Sequence, residues 1–66
     1  MRHISAAYTE LDNLHKAALW HKEHCRENCG ISLRLLAYAG RRIYRQVLTS
    51  ERAEAEKMII EMEALN

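Results

Sequence analysis

The chain has 66 residues, a formal charge of +1, no proline, no phenylalanine and two cysteines. That length gives one small domain spanning residues 1–66, which buries only about 60% of its unfolded surface and is marginal without a cross-link, a metal or self-association. The near-neutral charge carries no general signal for nucleic acid or membrane surfaces, and no apolar run approaches the roughly 20 residues of a membrane span.

A core without phenylalanine must be built from Leu, Ile, Val, Met and Ala, which suits helix-on-helix packing. The charge is unevenly divided. Residues 1–50 carry eight Lys/Arg against four Asp/Glu (+4), whereas residues 51–66 carry two against five (−3). Such halves attract each other, within one chain or between copies. No apolar signal-peptide core follows Met1-Arg2-His3, so the expected compartment is the cytoplasm, where thiols stay reduced.

The first predicted helix runs from about residue 5 to 28. Its seven-residue pattern has one register at Ile4, Leu11, Ala18 and Cys25 and another at Ala7, Leu14, His21 and Asn28. Ser5 is the expected N-cap, and Gly30 the expected left-handed stop. His3 and His15 read as surface residues. Trp20 lies well off the stripe, either packed under a later helix or exposed as an anchor for a partner, since tryptophan is enriched in binding hot spots.

The second half of this helix holds the chain's one metal-capable cluster: His21, His24, Cys25 and Cys29, in the pattern H-x-x-H-C-x-x-x-C. Thiolate and imidazole are the ligands zinc prefers. His21 and Cys25 stand at i and i+4 on one face. A continuous helix puts Cys29 about 12 Å from His21 along the axis, so it joins only if the chain turns back. His24 lies on the shoulder of the stripe as a weaker fourth ligand. Two H-x-x-x-C units facing across a dimer seam would supply the same donors. The plainer reading makes Cys25 and Cys29 small buried hydrophobes and His21 a hydrogen-bonded seam residue. A Cys25–Cys29 disulfide is not expected, because i,i+4 Cβ atoms in a helix sit about 5–6 Å apart and a bridge wants about 3.8 Å.

A second helix is predicted over about 32–48, capped by Ser32, with Leu33, Leu36, Gly40, Ile43 and Val47 inward. Glycine inside a helix costs on the order of 1 kcal/mol relative to alanine, so Gly40 points to close approach of another helix. Arg41, Arg42 and Arg45 form a basic edge near Tyr38 and Tyr44. Basic side chains among aromatics can hold a phosphate backbone, but pairing with the acidic third segment needs fewer assumptions. Thr49-Ser50 is a polar break. The third helix, about 51–64, opens with Glu51 and Glu54, which suit the helix dipole, and turns Ala55, Met58, Ile59, Met62 and Leu65 to one side.

Ile31-Ser32-Leu33-Arg34-Leu35 also alternates with the period of a half-buried strand. Followed by two helices, and with SERAEAEKMIIEM at Ser50–Met62, this half of the chain resembles the ribbon-helix-helix family, which implies a dimeric DNA-binding regulator. The all-helical reading also accounts for the first thirty residues and is preferred.

The expectation is an all-α helical hairpin plus a third helix, self-associating as a bundle or short coiled coil. The expected function is a protein–protein interaction module (adaptor, inhibitor or regulator) that binds itself and another protein through Trp20, Tyr38, Arg41, Arg42, Tyr44 and Arg45. A structural zinc at His21, His24, Cys25 and Cys29 would complement it. No phosphate loop, nucleophile elbow or paired carboxylate speaks for an enzyme, and Cys25 with His21 lacks a third orienting group.

Overall fold

The structure is a computed structural model that describes residues 4–65. Three α-helices follow in order, α1 (Ala6–His24), α2 (Cys29–Tyr44) and α3 (Arg52–Ala64), with a short 3₁₀ turn (Thr49–Glu51) leading into the last. The all-α expectation holds. Among the described residues there is no strand, which overturns the ribbon-helix-helix reading. The alternation that prompted it has a helical explanation. Residues two apart on a helix point to nearly opposite sides, so Ile31 and Leu35 are 62% and 63% exposed while Leu33 is 1% exposed.

Ser5 caps α1 as expected, its Oγ accepting the Tyr8 N–H at 3.2 Å. The helix stops four residues early. Cys25 is extended (ψ 140°), and Asn28, with φ 56°, takes the left-handed turn expected of Gly30. Asparagine is among the few non-glycine residues that adopt this conformation readily. Gly30 instead lies in the first turn of α2, and Ser32 donates its N–H to the Asn28 carbonyl rather than capping the helix. At its far end α2 stops at Tyr44, and tightened turns to Gln46 and Val47 carry the chain to an extended Leu48.

α1 and α2 form an antiparallel hairpin, and α3 lies against both. Gly40 marks the closest approach. A Cβ there would stand 3.0 Å from Ile59 Cδ1, 3.2 Å from Leu11 Cδ1 and 3.3 Å from Met62 Cε, so a side-chain-free position on α2 lets α1 and α3 close in. The buried apolar set is Leu11, Ala18, Leu33, Ala37, Val47, Ala55, Met58, Ile59 and Met62.

Three polar links fix α1 against the 3₁₀ turn and α3: Ser5 with Glu51, Tyr8 with Glu54 and His15 with Glu61, each spanning 46 residues. A constant offset means that α1 and α3 run parallel and in step. On that register the end of α3, Ala64, is level with Ala18. The last turn and a half of α1 and the first turn of α2 therefore extend past the third helix. His15 is thus no plain surface residue; its side chain is 17% exposed and Nε2 lies 2.9 Å from Glu61 Oε1. His3 lies outside the described residues.

Candidate functional site

The end of the hairpin that α3 does not reach carries the His/Cys cluster. His21 sits in the last turn of α1, Cys25 is the first residue beyond it, and Cys29 opens α2. Because the chain reverses between them, the two cysteines are not one helical turn apart on a continuous helix. Their Cα atoms are 5.8 Å apart and the sulfurs are joined in a disulfide. The expectation against this bond fails for that reason: its geometric objection applied to i,i+4 positions inside a helix, and neither the φ/ψ of Cys25 nor that of Asn28 is helical.

The same reversal brings His21 to the pair. One nitrogen of His21 and the Sγ atoms of Cys25 and Cys29 all lie within 4.8 Å of one another, close enough to bind a metal ion. His21 Nε2 is buried and has no hydrogen-bond partner among the described residues. His24 does not join them. Its Nδ1 lies 3.0 Å from the Trp20 carbonyl, and its ring stacks on the Trp20 indole at 4.5 Å between centroids. It belongs to the outer face of α1, so the four-residue ligand set reduces to three.

Trp20 is 63% exposed. Packing beneath the third helix is ruled out by the register, since Trp20 lies beyond the level of Ala64. On α2 the exposed apolar residues form a stripe opposite the core: Ile31, Leu35 and Tyr38, the last 64% exposed. Arg42 continues this stripe and Arg45 lies at its edge.

The basic edge divides. Arg41 turns toward α3, where Nε and Nη2 each lie 3.1 Å from a Glu63 oxygen and Nη1 lies 3.6 Å from Glu56. Its hydrogen bond to Arg41 holds the Glu63 carboxyl below the usual carboxylate range, and the same bond raises the guanidinium. Pairing with the acidic third helix is therefore realised at Arg41. Arg42 and Arg45 make no ion pair among the described residues and, with Tyr38, Arg41 and Tyr44, line a shallow open depression. The Tyr44 ring is covered by Arg52, whose guanidinium carbon lies 5.5 Å from the ring centroid.

Glu51, expected only to suit the dipole of the third helix, has a larger role. Glu51 is 1% exposed. Its carboxylate accepts the Ser5 N–H at 2.9 Å, the Ser5 hydroxyl at 2.6 Å and the Leu48 N–H at 3.2 Å, joining the start of α1 to the approach to α3. The sequence signal was present: Leu48-Thr-Ser-Glu51 has the acidic residue three positions on, as in a capping box. The link to Ser5 had no local sign.

Among the described residues no helix is long and apolar enough to cross a membrane. The chain matches no protein-family model, no curated protein and no solved structure.

Proposed function

We propose that the chain is a small helical protein-binding module whose contact surface is the outer face of α2, and that a second copy of the chain is its first partner. The observation that carries this reading is the exposed stripe Ile31, Leu35 and Tyr38 on the side of α2 opposite the core. Among the described residues eight large apolar side chains are exposed, more than the six that are buried, and the other three of the nine buried apolar residues are alanines. The molecule extends 39 × 21 × 15 Å along its principal axes, and with only three helices each one keeps a free side.

Charge favours an antiparallel pairing of two α2 helices. The helix carries Arg41 and Arg42 near its end and no acidic residue, so an antiparallel pair with a two-fold axis near Leu35 keeps these like charges at opposite ends of the contact, where a parallel pair would bring them together. Such an interface is isologous and falls at the small, weak end of specific contacts. Sedimentation velocity over a range of concentrations tests it. The expected result is a monomer–dimer equilibrium in the micromolar range that Leu35→Glu abolishes while helix content is unchanged. A wild-type chain that stays monomeric at high micromolar concentration overturns the self-association.

Trp20, outside this stripe, is left as a contact for another protein. A second reading, binding of nucleic acid by the basic face, is favoured by the depression where Arg42 and Arg45 stand beside Tyr38. Retarded migration of an oligonucleotide that fades steeply with salt would support it, and no retardation at low salt removes it. At the hinge, zinc is the metal that two thiolates and an imidazole favour. Metal analysis of untagged, reduced protein tests that assignment.

A further inference from the structure

We propose that the hinge of the hairpin has two alternative staples that exclude each other: a Cys25–Cys29 disulfide when oxidised, and a zinc ion held by His21, Cys25 and Cys29 when reduced. The inference rests on the zinc reading above and adds to it the exchange between the two states.

The need for a staple follows from the register. Past Ala18 the hairpin has no third helix to pack on, so its last turns lack the burial that holds the rest together. A cross-link there substitutes for the missing core. The disulfide is one such link, and the donors for the other are already gathered. In tetrahedral zinc coordination, bonds of about 2.0–2.3 Å put neighbouring donor atoms roughly 3.3–3.8 Å apart. The three donor atoms here all lie within 4.8 Å of one another. Separating the sulfurs and drawing in the imidazole requires side-chain movements and no refolding of either helix.

Three further observations point the same way. His21 Nε2 is buried without a hydrogen-bond partner among the described residues, a state that a bound ion or a water relieves. Cys29 is the first residue of α2, where the helix dipole favours negative charge and hence a thiolate. All three residues are only half-buried, so once the His21 ring turns its buried nitrogen outward an ion reaches all three donors without unfolding of either helix. Three protein donors leave the fourth tetrahedral position to water.

The exchange balances with a low-molecular-weight disulfide such as glutathione disulfide as oxidant. The two zinc-bound thiolates give up two electrons and form the Cys25–Cys29 bond. The S–S bond of glutathione disulfide breaks, takes those electrons and two protons from solvent, and leaves two glutathione thiols. Zinc(II) departs unchanged in oxidation state, because His21 alone cannot retain it.

The test uses the full, untagged chain. After anaerobic reduction by a phosphine and removal of the phosphine, it is titrated with cobalt(II) and zinc(II). The expected reduced form takes one ion per chain, with the visible bands of tetrahedral cobalt and a thiolate-to-cobalt charge-transfer band. His21→Ala weakens binding at least tenfold and His24→Ala leaves it unchanged. Glutathione disulfide then releases one zinc per chain, measured with a chromogenic chelator, as two cysteine thiols are lost. Failure of the reduced chain to bind either ion defeats both the zinc assignment and the exchange. Binding that survives oxidation, or that is indifferent to His21→Ala, leaves a zinc protein but overturns the exchange at these three residues. Because wild-type protein is read in both redox states, with helix content followed by circular dichroism, no step depends on a cysteine variant folding.

Discussion

Gly40 offers the sharpest test of the packing. Gly40→Ala should gain about 1 kcal/mol from helix propensity alone. The added methyl, however, would meet Ile59 Cδ1 at 3.0 Å, Leu11 Cδ1 at 3.2 Å and Met62 Cε at 3.3 Å. Each contact is made by a flexible side-chain end, yet all three residues are fully buried and close on the same point from two helices. They cannot all withdraw together, and overpacking of this kind costs about 1–3 kcal/mol. The net expectation is a loss of about 1 kcal/mol, or roughly 4–8 °C in Tm for a domain this small. Ile59→Val removes the nearest atom and by itself costs about 1 kcal/mol. In the Ile59→Val background the alanine methyl refills the vacated space, so the double variant should be no less stable than Ile59→Val alone. The coupling is then on the order of 1 kcal/mol, where independent sites would add. Urea denaturation followed by far-UV circular dichroism, at one fixed protein concentration because self-association is proposed, measures the four-member cycle. If Gly40→Ala stabilises the parent by the full propensity gain and the coupling is near zero, the helices do not meet at Gly40 as described.

Other substitutions test the remaining joints. Glu51→Ala strips the acceptor from the Ser5 and Leu48 N–H groups and should cost about 2–3 kcal/mol; a loss below about 0.5 kcal/mol in the same denaturation assay would mean the carboxylate is not a buried clamp. The Arg41–Glu63 pair should matter little, at most about 0.5 kcal/mol, because both side chains are nearly half exposed and screened by water. Since Glu63 is depressed in the folded state, its small contribution is present above the unfolded carboxylate range and is lost as pH falls through the folded value. The stability difference between wild type and Glu63→Gln, measured at neutral and strongly acidic pH, should therefore shrink toward zero in acid. Reducing the Cys25–Cys29 bond in the presence of a chelator should cost about 2 kcal/mol, a modest figure because the closed loop is so short. Trp20 emission should be red-shifted and readily quenched by acrylamide in dilute protein, and a blue, protected spectrum would place the indole in an interface.

The parts of this fold that were legible in the sequence are those written in local chemistry. The Ser5 cap and the inward set on α3 each depend on residues within a turn or two of one another, and both appear where expected, whereas the break expected at Thr49-Ser50 begins earlier, after Tyr44, and those two residues form the 3₁₀ turn. Gly40 was legible because a helix-breaking residue inside an apolar stripe needs a reason. The errors lie where a single reversal changed the frame. A heptad pattern extended through His21, Cys25 and Asn28 looked continuous, since periodicity is insensitive to one residue leaving the helical region. Asn28 in the left-handed conformation ended that continuity, and every conclusion built on it changed at once. The turn that Cys29 needed in order to join His21 and Cys25 was there, and the disulfide became geometrically accessible, while His24, still inside α1, stayed on the outer face with Trp20. The Ser5–Glu51 clamp was invisible for a different reason: its partners are 46 residues apart, and only the parallel register of α1 and α3 brings them together.

That register also explains why the chain's unusual residues collect at one end. α3 covers α1 only as far as Ala18, so the residues beyond must be stabilised by something other than a third helix. The sequence changes character at this point, from the Leu11, Leu14 and Ala18 stripe to His21, Cys25 and Cys29. Side chains capable of covalent or metal cross-links replace those that merely pack. On the outer faces of the same end, Trp20 and Ile31 stay open to solvent, where an ordinary small domain would place charge. A locally under-packed end is the part of a fold that opens most readily. If the staple is exchanged or lost, the first turn of α2 should loosen before the core around Leu11, Gly40 and Ile59. Hydrogen exchange on the reduced, metal-free chain distinguishes the two regions: amides of residues 29–33 should lose protection while those of α3 keep it, and uniform loss along the chain would show that the hinge is part of one cooperative unit.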